Sequence, residues 1–149
     1  MRKGSNAVIT YNKKILLLLR DDKPDISEPN KWSIIGGGVE EGEDFDQTLK
    51  REIYEETNLK PKNITSMGEI SFGGSLHALY LVKLNEEELR ELKLGDEGQK
   101  LEFFSYRQLK ELSTTSIITS FVKMFGEEVR RMIEEGVIPD LKMMSANLA

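Results

Sequence analysis

The chain has 149 residues, 38% hydrophobic and 32% charged, which bounds it to one domain with room for a single core. A net charge of −5 excludes a protein built mainly to bind long nucleic acid, although small phosphorylated molecules stay open because a divalent cation can supply the positive charge. The absence of cysteine excludes disulfide and thiolate chemistry and fits a reducing compartment.

In chain order, the first signals are β-like. "NAVITY" (6–11) and "KILLLLR" (14–20) are separated by Asn12 and Lys13 and read as a hairpin. The unbroken Ile15–Leu19 run suits a strand covered on both faces. It is too short for a membrane span or the apolar part of a signal peptide, so no membrane association and a cytoplasmic location are expected. Residues 21–31 carry two prolines and four acidic residues and read as a surface loop. "WSII" (32–35) predicts a short strand ahead of Gly36, Gly37 and Gly38, and a helix is expected from Asp44 to Thr57, with Pro61 beyond its end. "ITSMGEISF" and "LHALYLVKL" predict a second hairpin through Gly73 and Gly74. Next come a short helical or irregular piece at 86–94, a strand "KLEFFSY", and two closing helices at 107–112 and 116–136. The last eight residues are expected to be loosely held. Hairpins interrupted by helices point to an α/β fold, a mixed β-sheet flanked by helices on both faces.

The 44–57 helix poses a problem. Phe45, Leu49 and Ile53 form its apolar stripe, yet Glu52, Glu55 and Glu56 converge on a neighbouring arc and Glu56 falls inside the stripe. A carboxylate turned toward a core must be paired or coordinated. A solvated acidic face partnered by Lys50 and Arg51 is the plain reading, but those bases are too few for the acids. Three converging carboxylates suit a hard divalent cation, Mg²⁺ or Mn²⁺. The glycines before the helix free the backbone to approach a ligand and present N–H groups to anions.

Gly37, Glu43, Arg51, Glu52, Ile53, Glu55, Glu56 and Leu59 follow the spacing G-x5-E-x7-R-E-U-x-E-E-x-G-U, where U is aliphatic. That pattern resembles the Nudix box, and the order of elements around it is similar to the family's α/β/α sandwich. Two positions depart: Asn58 stands where the family has glycine, and Ile35 where proline is frequent. Asn tolerates the left-handed turn that ends a helix, so the cap should survive.

The resemblance implies a Mg²⁺-dependent pyrophosphohydrolase (Mn²⁺ as an alternative) that cleaves a nucleoside diphosphate linked to another group. It implies metal ligation by Glu52, Glu55, Glu56 and the Gly36 carbonyl, with Glu43 and Arg51 as an orienting ion pair. Glu97, in "GDEGQKLEFFSY", resembles the further acid of the oxidised-nucleotide hydrolases and is the candidate extra ligand or general base. The catalytic set is therefore Glu52, Glu55, Glu97 and Arg51. For substrate contacts the candidates are Arg20, Gly37, Gly38 and Phe72; Trp32 and His77 read as packing residues. The implied substrate is a nucleoside triphosphate, normal or oxidised, with ADP-ribose, nucleotide sugars, dinucleoside polyphosphates or a non-catalytic nucleotide-binding role as alternatives. A monomer or homodimer is expected.

Overall fold

The computed structural model describes residues 1–148, and side chains through position 145. Strand β1 (Arg2–Tyr11) turns into β2 (Lys14–Leu19) through Asn12 and Lys13, whose φ values of 48° and 62° make the tight left-handed hairpin turn that suits twisted strands. The two strands stay paired only next to the turn, at Thr10↔Ile15 and Tyr11↔Lys14, and then diverge. Beyond that point β1 pairs antiparallel with β4 (Ile35–Gly38), while β2 pairs with β3 (Trp32–Ser33) and β7 (Lys100–Phe104). Strands β5 (Asn63–Phe72) and β6 (Ser75–Lys83) form the second hairpin, and β6 runs parallel to β1. The result is a seven-stranded mixed sheet.

Alternation along the strands divides the core in two. Ala7, Ile9, Leu16, Leu18, Tyr80 and Val82 face helix α1 (Phe45–Thr57), which contributes Leu49 and Ile53. Val8, Ile15, Leu17, Leu79 and Leu81 face the opposite layer, chiefly α4 (Ser116–Glu135) with Phe121, Phe125, Val129 and Met132. The Ile15–Leu18 run is therefore buried on both faces, as its continuous apolar character requires. Two short helices, α2 (Glu86–Leu89) and α3 (Tyr106–Leu109), begin with capping boxes at Asn85 and Ser105.

Three features differ from the sequence expectations. The "WSII" strand is two strands, interrupted at Ile34 because β3 pairs with β2 and β4 with β1. The 116–136 helix is kinked at Phe125 (φ −134°, ψ 40°), beside Gly126, where an added Cβ would lie 2.7 Å from the Tyr106 hydroxyl. The 107–112 helix is a single short turn, α3 (Tyr106–Leu109); after it and α4 the chain forms α5 (Leu141–Leu148), whose Leu141 and Met144 are buried against the α4-side core, and position 149 lies outside the described residues. Among the described residues no helix is long and apolar enough to cross a membrane.

Candidate active site

Local rules set the α1 framework. The Asp44 carboxylate accepts from the Gln47 N–H at 2.8 Å and the Gln47 side chain accepts from the Asp44 N–H at 2.9 Å, closing a capping box. At the other end Asn58 sits at φ 62°, and its N–H donates to the Tyr54 carbonyl, so the glycine departure leaves the left-handed cap intact. The helix is tied to the sheet by the buried Tyr80, whose hydroxyl donates to Asp46 Oδ1 at 2.6 Å.

On the outer flank of α1, Arg51 is the hub. Its Nε donates to Glu43 Oε2 at 2.7 Å and its Nη2 to Glu43 Oε1 at 3.0 Å, a two-pronged pair, while Nη2 also reaches the Gly38 carbonyl at 3.1 Å. Its Nη1 donates to Glu52 at 2.8 Å and to Glu55 at 3.2 Å. The Arg51 guanidinium, with the Glu40 N–H and the Thr48 hydroxyl, holds the Glu43 carboxyl down at about 2. Glu43 and Arg51 thus form an ion pair closed by two hydrogen bonds.

The inner flank behaves oppositely. Glu56 is drawn under the glycine loop, where its Oε1 accepts from the Gly36 N–H at 2.9 Å. Burial pushes its carboxyl up to about 8, more than the Gly36 hydrogen bond offsets, and the negative charges of Glu52 and Glu97 push the same way. Glu52 is also raised, again by burial first, against the pull of Arg51. The loop can approach this closely because Gly37 has no side chain; a Cβ there would overlap the Glu52 carboxylate. Glu40, Arg51, Glu52, Glu55, Glu56 and Glu97 border one open cleft of about 730 Å³.

The structure therefore brings together Gly36, Gly37, Gly38, Glu43, Arg51, Glu52, Glu55, Glu56 and Glu97. Arg20 and Phe72 do not line that cleft. The Arg20 guanidinium turns back onto Ser27, donating to its carbonyl at 3.0 Å, and Phe72 packs against the α4-side core on the opposite face of the sheet. Three further acids of the 36–59 stretch have partners of their own. Asp44 caps the helix, Asp46 takes the Tyr80 hydroxyl, and Glu40 lies 3.6 Å from Arg51. Nothing in local spacing links Asp46 to a tyrosine thirty-four positions away.

The donor set suits Mg²⁺ or Mn²⁺: several hard carboxylate oxygens, one of them half-buried among like charges. Among the described residues no three such side chains form a ready-made metal-binding group; Glu52 and Glu55 lean on Arg51, and Glu56 on the Gly36 amide.

Comparison with known proteins follows this geometry. The NUDIX domain model matches residues 1–125. An ADP-ribose pyrophosphatase of Methanocaldococcus jannaschii is 32% identical over 111 residues, covering 72% of this chain and 64% of that protein. The NAD-capped RNA hydrolase NudC of Mannheimia succiniciproducens is 35% identical over 95 residues, covering 57% of this chain and 36% of that protein. The matched segment thus spans under two thirds of either relative. Among solved structures, the NUDIX domain of Shewanella oneidensis NrtR, complexed with ADP ribose, aligns with a TM-score of 0.68 at 17% identity, covering 85% of this chain and 87% of that one. A MutT NUDIX hydrolase from Burkholderia pseudomallei aligns with a TM-score of 0.65 at 21% identity, covering 83% and 97%. These structures share the α/β/α sandwich.

Proposed function

The chain belongs to the NUDIX family, and from that premise we propose that it is a Mg²⁺-dependent pyrophosphohydrolase acting on a nucleoside diphosphate linked to a further group. The observation that carries the reading is the placement of Glu56. A half-buried carboxyl beside Glu52 and Glu97, with one backbone N–H for compensation, is poorly matched to a purely structural role and well matched to a cation. Glu52, Glu55, Glu56, Glu97 and the Gly36 carbonyl would hold Mg²⁺, which when bound neutralises phosphate charge and lowers the pKa of the attacking water.

The chain's own residues supply the rest. Arg51, anchored by Glu43 and the Gly38 carbonyl, fixes the directions of Glu52 and Glu55. Gly37 and Gly38 keep the loop low enough for a phosphate chain to lie beside those carboxylates. A carboxylate of the cleft, Glu97 first, takes the proton of the attacking water as its oxygen bonds to phosphorus. The anhydride P–O bond breaks, its electron pair leaving on the departing phosphate oxygen.

The leading substrate class is a nucleoside triphosphate, normal or oxidised, giving a monophosphate and pyrophosphate. ADP-ribose is the second reading, favoured by the relative of that name that aligns over 72% of this chain. A panel of nucleoside triphosphates, 8-oxo-dGTP, ADP-ribose and diadenosine polyphosphates, with and without Mg²⁺, tests both. Mg²⁺-dependent release of pyrophosphate or nucleoside monophosphate is the expected result. No turnover of any member would replace the proposal with a nucleotide-binding role.

A further inference from the structure

Glu97 lies outside the helix that carries the other acids, on the loop that leads into β7. The loop is docked at both ends. On one side, the Lys93 N–H donates to the Thr57 carbonyl at 3.0 Å and the Gly95 N–H to the Glu56 carbonyl at 3.2 Å. These are two of the carbonyls that the last turn of α1 leaves without helical partners. The Asn58 side chain adds a bond to the Glu91 carbonyl at 3.0 Å. Gly95 lies so close to the helix that a Cβ on it would overlap the Glu55 carbonyl oxygen. Its φ is not in the left-handed region, so the glycine is required there for space and not for conformation.

On the other side, the Gly98 N–H donates to Asp21 Oδ2 at 3.2 Å and the Gln99 N–H to the Leu19 carbonyl at 2.8 Å. The Gln99 side chain bridges the Arg20 carbonyl and Asn30 Oδ1, at 2.8 and 2.9 Å. Only Asp96 and Glu97 lie between the anchors. The first anchor is the backbone of Glu56 and Thr57, with Gly95 also packed on the Glu55 carbonyl, so the loop is tied to the very residues whose side chains Glu97 must join.

We infer that Gly95 and Asp21 are positioning residues: the bare backbone of Gly95 against α1 and the Asp21 carboxylate under Gly98 together fix Glu97 at the cleft. The inference rests on Glu97 serving the proposed reaction. Moving a group that orients a ligand or catalytic side chain costs about 10–100-fold, and a methyl group at position 95 must lift the loop off the helix.

Four variants test this: Gly95→Ala, Asp21→Ala, Asp21→Asn and Glu97→Gln. The measurements are kcat and KM on the best substrate of the panel, Mn²⁺ affinity by paramagnetic resonance, and amide exchange at positions 95 and 98 in metal-free protein. Gly95→Ala and Asp21→Ala should each lose about 10–100-fold in kcat, bind Mn²⁺ more weakly and exchange faster at both amides. Asp21→Asn should recover, because its side-chain oxygen still accepts from Gly98. A folded Gly95→Ala protein with unchanged kcat and Mn²⁺ affinity, beside an impaired Glu97→Gln, would overturn the positioning role alone. Equal impairment of Asp21→Asn and Asp21→Ala would remove Asp21 from it, even if Gly95→Ala does not fold. Full turnover by Glu97→Gln would instead sink the assignment of Glu97, while unchanged exchange would separately show that the anchors do not hold the loop.

Discussion

Replacing Glu56 with glutamine separates the demands of the site from those of the fold. The carboxyl shifts from an ordinary 4.5 to about 8 on folding, so the folded protein holds a proton that the unfolded chain releases at lower pH. Folding stability from this group is complete below pH 4.5, declines as pH rises, and is lost above about 8. At pH 7 the gap from 4.5 is 2.5 pH units, and at 1.36 kcal/mol per unit the deficit is about 3 kcal/mol. Glutamine removes the ionisation, keeps an oxygen for the Gly36 N–H, and turns an amide toward Glu52 in place of a charge. In EDTA at pH 7 the variant should be more stable than wild type by about 3 kcal/mol, or roughly 6–12 °C in a domain of this size. At pH 4.5 the two proteins should match. Urea unfolding at both pH values measures the difference, and Mg²⁺-dependent turnover of the variant should be abolished. Parallel pH dependence in the two proteins would refute the burial argument; a fully active variant would refute the ligand assignment.

Two further changes probe the scaffold. Arg51→Lys keeps the charge but cannot make the two-pronged contact with Glu43 while reaching Glu52, Glu55 and the Gly38 carbonyl; turnover should fall about 10–100-fold, as measured by kcat on the panel substrate. The Glu43 carboxyl, held at about 2, contributes stability present above pH 4.5 and lost as pH falls through 2, so the variant should unfold at higher pH than wild type in an acid titration followed by circular dichroism. Asn58→Ala places an alanine at φ 62° and deletes the bond to the Glu91 carbonyl, which should cost about 1–2 kcal/mol in urea unfolding; Asn58→Gly should cost less, since it keeps the left-handed cap.

Much of this protein was legible because its signals are local. The spacing of Glu52, Glu55 and Glu56 along one helix is a consequence of 3.6 residues per turn, and Asn12 and the Gly73–Gly74 pair mark turns because those residues tolerate positive φ. The double burial of Ile15–Leu18 follows from its lack of polar alternation. The partners of Asp46 and Glu40, the seat of Phe72 away from the cleft, and the kink at Phe125 were not legible. Each depends on contacts between segments far apart in the chain, which no periodicity encodes.

By itself the sequence determined the helix, its acidic arc and the glycine loop, all of which lie within about twenty residues of one another. Only the tertiary structure decided which of those acids are half-buried and which stay exposed, because burial depends on what the sheet and the 91–99 loop place over them. It is the Gly36 amide above Glu56, and the backbone of Gly95 on the end of α1, that turn a row of exposed glutamates into a cleft with unequal carboxylates.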